Sequence, residues 1–249
     1  MSLGGALPSP SPQGPRYRLD PDSQVPLHTP EYGSTRTRAP LRPLVPLAQG
    51  LTELTGPLLG DGRVGELDHD LTRQHDIEPI GQRIHVSGRV LDGAGRPVPH
   101  TLIEIWQANA AGRYHHAVDR WAAPLDPGFT GMGRTLTDAD GRYTFVSVRP
   151  GAYPWGNHDN AWRPAHIHFS LLGRAFTQRL VTQMYFPDDP LLALDPIYNA
   201  VRDERARRRL VSAYDHASTV AQWALAYRFD IVLRGQDSTP FEDDHEEDE

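Results

Sequence analysis

The chain contains no cysteine. That excludes disulfides, thiolate nucleophiles, zinc ribbons and iron–sulfur clusters together. It also contains no lysine, so all 25 basic residues are arginine. Schiff-base chemistry, pyridoxal phosphate attachment and the Walker-A lysine are excluded on that ground. No apolar run at the N-terminus has the length of a signal-peptide core, and none elsewhere approaches a membrane span. The expectation is a soluble cytoplasmic protein with no membrane association. Basic charge is not in excess. The net charge is −7, and the last eight residues, Glu242–Glu249, hold seven acids and His245. The rest of the chain is neutral, with no basic stripe for nucleic acid, and the acidic end reads as a solvating tail.

Turn-formers are abundant instead. The 249 residues include 22 Gly and 23 Pro, well above ordinary usage, which favours short strands and turns over long helices. With thiols and amines gone, 12 His, 9 Tyr and 32 acids remain. Any metal here would take imidazole, carboxylate or phenolate.

Residues 1–16 are Pro, Gly and Ser with little to bury, and read as a disordered tail. Residues 17–80 read as an extended arm, too rich in proline for regular helix, with a helical turn near Leu51–Leu54. From 81 to 241 the pattern becomes that of a globular domain, and 242–249 is the acidic tail. Ile84, Val86 and Val90 alternate up to the turn Asp92–Gly95, and Asp138–Gly141 is a second hairpin-type turn leading into Tyr143 and Phe145. Ile167, Phe169 and Leu171 share one strand face, and Leu180, Thr182 and Met184 suit another. The clearest strand has Leu225, Tyr227, Phe229, Ile231 and Leu233 on one face, with Arg228, Asp230 and Arg234 on the other. The fold class expected is all-β: an antiparallel β-sandwich core with an extended N-terminal arm, long loops and one short C-terminal helix, over 202–215.

The strongest chemical signal is Arg163-Pro164-Ala165-His166-Ile167-His168-Phe169. On a strand, His166 and His168 project from one face while Ile167 and Phe169 enter the core. Two such imidazoles can converge on one ion, or can simply be two half-exposed histidines. His69, His75, His115, His116 and His158 lack that geometry and read as solvated loop residues. Two kinds of site remain open. Phenolates beside the histidines suit a hard trivalent ion, above all Fe³⁺, whereas two histidines and one carboxylate, from Asp159 or Asp188, suit Fe²⁺. Spacing alone does not select among the nine tyrosines.

Longer motifs carry a resemblance. They are Trp106-Gln107-Ala108-Asn109, Gly112-Arg113-Tyr114, Gly131-Met132-Gly133-Arg134, Pro150-Gly151-x-Tyr153-Pro154-Trp155, Trp162–Phe169 and Ala226–Gly235, in this order. From about Pro26 to Phe241 the chain resembles the intradiol ring-cleavage dioxygenases. Thr29-Pro30-Glu31-Tyr32 and Arg38-Ala39-Pro40 favour the branch that acts on protocatechuate. The resemblance implies a non-haem Fe(III) held by Tyr114, Tyr153, His166 and His168, with Tyr153 as the ligand that leaves when substrate binds. It implies that Arg163 is a catalytic cation facing the bound catecholate and that Gln183 is a pocket residue. Trp106, Trp155 and Ile197 match wall positions, and Tyr32 and Arg38 match arm residues around the ligands.

The implied reaction is cleavage of protocatechuate (3,4-dihydroxybenzoate) by O₂ between its hydroxyl-bearing carbons. The product would be 3-carboxy-cis,cis-muconate, within aromatic catabolism by the β-ketoadipate pathway. The implied partners are the small catechol substrate, O₂ and a non-metal-binding α chain in an α/β oligomer. Catechol or hydroxyquinol are alternative substrates, and a non-catalytic transthyretin-like binding sandwich is the alternative outside enzymes. No role is assigned to the His115-His116 pair.

Overall fold

The computed structural model describes residues 22–40, 42, 64–157, 159, 162–173 and 176–241, apart from the side chains of 173–179. The 1–16 tail, the turn at Leu51–Leu54, His158 and the acidic tail lie outside the described residues.

Period-two alternation folds into two sheets that face each other. The first is built around β1 (Arg83–Leu91), which pairs antiparallel with β4 (Arg142–Val148). On its other side it meets β10 (Leu225–Arg228) and then β11 (Ile231–Val232), and β9 (Ala213–Tyr214) completes the edge. The second sheet runs in the order β3 (Met132–Leu136), β2 (Leu102–Trp106), β7 (His166–Gly173) and β8 (Phe176–Tyr185), antiparallel throughout. Phe169 of β7 joins the layers, with its ring 5.9 Å from Tyr143, 5.8 Å from Phe145 and 5.3 Å from Phe229. Ile84, Val86, Ile103, Ile105, Ile167 and Leu171 fill the rest of that core. Burial of this contiguous apolar surface is the main term holding the sandwich together.

The two Asp-rich turns close in the same way. Asp92 Oδ1 accepts from the Ala94 and Arg96 amides, and Asp138 Oδ1 accepts from those of Asp140 and Arg142.

Three details depart from expectation. The sandwich is not wholly antiparallel, because β1 runs parallel to both β10 and β11. The single strand expected over 225–234 is interrupted at Phe229–Asp230, where the Arg89 amide donates to the Asp230 carboxylate instead of to a main-chain carbonyl. The inward and outward faces nevertheless alternate as expected. The helix expected over 202–215 is confined to Glu204–Arg208, and it is not alone. Helices at Thr35–Arg38 (α1) and Pro196–Ala200 (α2) and a 3₁₀ turn at Leu192–Leu194 join it, making Glu204–Arg208 α3. A sheet edge ends α3: the Tyr185 amide donates to Leu210 O, the Ser212 amide returns to Tyr185 O, and Ala213–Tyr214 pairs with β10. Ala206 and Leu210 still pack inward, on Tyr185 and Val201.

The arm is integrated with the sandwich at two points. Leu71 is completely buried in the core, and its amide bonds Val146 O while the Val146 amide bonds His69 O. Upstream, the Thr35 hydroxyl donates to Thr29 O and Tyr32 O, and the Gly33 amide donates to Asn157 O. Those bonds set Tyr32 beside Trp155.

Candidate metal centre and active site

The histidines come from the most rigid part of the fold. β7 is hydrogen-bonded on both sides, and it projects His166 and His168 from the face opposite Ile167 and Phe169. Trp106 lies opposite His168 across the β2–β7 pair, and the two rings stack 4.7 Å apart at an interplanar angle of 4°. His166 Nδ1 is 2.7 Å from the Pro164 carbonyl. A carbonyl can only accept, so Nδ1 carries the proton and Nε2 presents its lone pair inward.

The tyrosines come from loops that need more support. Asn109 Oδ1 accepts from the Ala111 and Arg113 amides, and Asp119 Oδ2 accepts from the Tyr114 amide at 2.8 Å. Gly112 turns this loop at a φ of +78°. A Cβ there would lie 2.1 Å from Ala152 O and 3.3 Å from Tyr153 Cβ, so the two tyrosine-bearing segments meet backbone to backbone. Tyr153 sits on β5 (Tyr153–Pro154), which pairs with β6 (Trp162–Arg163) so that Tyr153 opposes Arg163.

Four donor atoms converge as a result. Tyr153 Oη is 3.3 Å from His166 Nε2, the two Nε2 atoms are 3.2 Å apart, and His168 Nε2 is 3.2 Å from Tyr114 Oη. Ligand bonds of about 2.0–2.1 Å at tetrahedral angles separate neighbouring donors by about 3.3–3.4 Å. The four side chains therefore fit a single small cation. Burial, with help from Arg163, holds His166 well below its ordinary range. Burial, His166 and then Arg163 do the same for His168. Both imidazoles are neutral and able to coordinate. Burial pushes both phenols up, Tyr114 further because Tyr153 adds to it, and the Arg163 charge opposes the rise at both. A bound cation would reverse that tendency and favour phenolate. Among the described residues, no group of three or more His, Asp or Glu could hold a metal. Asp159 and Asp188, the carboxylates of the two-histidine, one-carboxylate alternative, are exposed. A donor set of two imidazoles and two phenols matches a hard trivalent ion.

Arg163 is 2 % exposed and held from several directions. Its Nε and Nη2 donate to the two carboxylate oxygens of Asp195 at 3.1 and 3.0 Å. Nη2 also lies 2.7 Å from Gln183 Oε1 and 2.9 Å from Tyr185 Oη. Burial works against the charge, but Asp195, Tyr185 and Tyr153 outweigh it and hold the guanidinium above its ordinary value. Its carbon lies 5.4 Å from the Trp155 ring centre. Trp155 meets Tyr32 edge-on at 4.9 Å, and Arg38 covers the Tyr32 ring at 4.6 Å. Ile197 is buried on α2, and its amide faces Asp195 Oδ1 at 3.4 Å. Each site residue that the family resemblance implies thus lies in, or leads by direct contact to, one constellation. A cleft of about 960 Å³ reaches Tyr114, Tyr153 and Trp106, and is lined further by His115, His116, Val118, Trp121 and Met132.

Asp195 and Tyr185 carry no mark of these contacts in the sequence, and Gly112, though part of a motif, shows its packing against Ala152 only in the structure. The Asp195-Pro196 pair carries a helix-start signature, but nothing local links it to Arg163, 32 positions earlier. Tyr185 shares a β8 face with Gln183, two residues away, which is the one sequence signal for it.

Similarity to known proteins defines the class of this β-sandwich: the chain belongs to the intradiol dioxygenase family. Residues 54–235 match the Dioxygenase family model, and residues 17–49 match that of the protocatechuate 3,4-dioxygenase beta subunit N-terminal region. The chain is 58 % identical to the protocatechuate 3,4-dioxygenase beta chain of Burkholderia cepacia over 215 residues, 86 % of this chain and 91 % of that one. It is 30 % identical to the alpha chain from Pseudomonas putida over 210 residues, 81 % of this chain and 99 % of that one. The solved 3-chlorocatechol 1,2-dioxygenase of Rhodococcus opacus 1CP shares the fold, with a TM-score of 0.53 and 24 % identity over 68 % of this chain and 66 % of that one. The chain is an oxidoreductase of aromatic catabolism, and the non-catalytic binding sandwich is set aside. Among the described residues, no helix is long and apolar enough to cross a membrane.

Proposed function

We propose that this is the iron-bearing chain of an enzyme that cleaves protocatechuate with O₂ to 3-carboxy-cis,cis-muconate, in the β-ketoadipate pathway. The observation that carries this reading is the convergence of Tyr114, Tyr153, His166 and His168 beside the buried guanidinium of Arg163. Protocatechuate is preferred over catechol or hydroxyquinol because of the beta-chain identity and the match of the arm.

Tyr114, Tyr153, His166 and His168 would hold Fe(III). Bound ferric iron would accept both catechol oxygens and make the ring reactive toward O₂. The rest of the chemistry falls to this chain's own groups. Tyr153 Oη would take one of the arriving catechol's hydroxyl protons. Arg163 cannot lose its proton at any working pH, so it offers N–H donors and positive charge to the ring as negative charge develops there. Trp106, Trp155 and Ile197 wall the site, Gln183 holds Arg163, and Tyr32 and Arg38 brace Trp155 from the arm.

An α chain would cover the cleft. Val118 (62 % exposed), Trp121 (36 %) and Met132 (65 %) line it, and Trp162 (42 %) packs edge-on against Trp121. Apolar side chains this exposed around a cleft mark an interaction surface.

The test is O₂ uptake by the iron-loaded chain against protocatechuate, catechol and hydroxyquinol, with and without a co-expressed α chain. Red-brown protein that prefers protocatechuate, and works best with the α chain, is expected. Colourless, iron-free protein from iron-supplied, aerated cells would sink the reading.

A further inference from the structure

The charge of Arg163 is not free-standing. Its Nε and Nη2 are both engaged by one carboxylate, that of Asp195, in a side-on pair. Such a two-point pair fixes the guanidinium plane as well as its place. Asp195 is 0 % exposed and accepts from more than Arg163. Its Oδ2 takes the Tyr185 hydroxyl at 2.8 Å, and its Oδ1 faces the Ile197 amide as the N-cap of α2. Tyr185 and Gln183 meet Arg163 Nη2 from β8. On another side, Arg163 stands opposite Tyr153 across the β5–β6 pair. One buried carboxylate therefore ties a cation beside the four donor atoms to the helix that carries the buried Ile197.

We propose that Asp195 is the positioning residue of this active site: it aims Arg163 and locks it to the Ile197 wall, with Tyr185 as the second brace. The proposal rests on the dioxygenase reading above. Asp195 acts through Arg163, so its effect should fall on turnover more than on substrate binding or iron uptake. A group acting through another is recognised by non-additivity, because removing Arg163 first leaves Asp195 nothing to aim.

The test uses the full chain, iron-loaded and co-expressed with an α chain. Asp195→Asn keeps the volume and the helix cap, since asparagine caps as well as aspartate. Its iron content and charge-transfer colour should match wild type, with kcat lower on the order of 10- to 100-fold. KM should change less than kcat. Tyr185→Phe should lower kcat by a smaller factor. Each combined with Arg163→Ala should be no slower than Arg163→Ala alone, whereas a purely structural role would add its loss to that of Arg163. Wild-type kcat in Asp195→Asn, or additive losses in both double variants, overturns the proposal. If Asp195→Asn does not accumulate, the Tyr185→Phe cycle decides. If wild-type enzyme cleaves no catechol, the dioxygenase reading fails by itself. A crystal structure of the Asp195→Asn or Tyr185→Phe assembly then judges the positioning: a displaced Arg163 supports it and an unmoved one overturns it.

Discussion

Replacing Gly112 by alanine separates the two tyrosine-bearing loops by a known route. The residue has a φ of +78°, and a Cβ there would lie 2.1 Å from Ala152 O and 3.0 Å from Ala152 C. Both obstacles are backbone, so no flexible side chain can yield. An alanine at positive φ costs about 1–2 kcal/mol by itself. Relieving the contact moves one loop by roughly 1 Å, and overpacking of this kind adds about 1–3 kcal/mol. The sum, about 2–5 kcal/mol, lowers Tm by roughly 4–20 °C for a chain of this size. Metal sites tolerate ligand displacements of about 0.2 Å, so iron affinity should fall by about 10- to 100-fold.

Gly95 supplies the control. Its φ is +76°, but a Cβ there meets nothing within 4 Å. Gly95→Ala should pay the conformational cost alone and bind iron normally. The assay is equilibrium iron titration, read through the ferric-tyrosinate colour, alongside calorimetric melts of both variants. A Gly112→Ala protein that takes up iron like wild type, and melts with Gly95→Ala, would refute the claim that this contact sets the spacing of the tyrosines.

Further outcomes follow from other contacts. Arg163→Ala should keep iron and colour while kcat falls on the order of 100- to 1,000-fold; its melt should also show the loss of a buried pair, about 3–5 kcal/mol, because Arg163 and Asp195 side chains are 3 % and 0 % exposed. Tyr114→Phe should cost more iron affinity than Tyr153→Phe, measured as iron retained against a chelator. Burial lowers His166 and His168, so below about pH 6.5 the unfolded metal-free chain binds protons that the folded one refuses. Metal-free stability should therefore be full above that pH and decline below it, less steeply in His168→Gln; Tm values flat from pH 7 to 5 contradict this. Leu71→Ala should destabilise by about 2–5 kcal/mol without altering the colour of protein that does fold, since Leu71 is core and distant from the ligands in role.

Local periodicity carried much of the fold but only half of the metal site. Ile167, Phe169 and Leu171 went inward and His166 and His168 to the other face because strand geometry leaves no third choice. The parallel pairing of β1 with β10 was not legible, because partner choice depends on residues some 140 positions apart. The helix over 202–215 was overestimated for the same reason: its apolar spacing is helical, but Tyr185 captures Leu210 and Ser212 as a sheet edge. Leu71 sat in a stretch without alternation and gave no sign of burial. Choosing Tyr114 and Tyr153 from nine tyrosines required family resemblance, since what joins them is a backbone approach at Gly112 that no spacing rule encodes. Asp195 had a readable local role as a helix cap, and its second role toward Arg163 exists only in three dimensions.

The placement of the four donors gives a physical reason for Tyr153 to be the ligand that leaves under the proposed reaction. Both histidines stand on a strand bonded on each side, and Trp106 covers one of them, so neither can swing without tearing the sheet. Tyr114 is anchored through its amide to Asp119, and its loop is laced by Asn109. Tyr153 stands on a two-residue strand that pairs, among the described residues, only with β6. Electrostatics point the same way. Arg163 favours the ionised form of both phenols, but at Tyr114 it is outranked by Tyr153 and joined by Asp119, which push the other way. At Tyr153 it is the leading influence after burial, with Asp195 opposing it. A phenolate released at Tyr153 is thus met by a fixed cation, whereas one released at Tyr114 would enter a less favourable field. Under the proposed reaction, the guanidinium that would face the substrate is also the group that would make Tyr153 the easier ligand to displace, and Asp195 would hold it in place for both tasks.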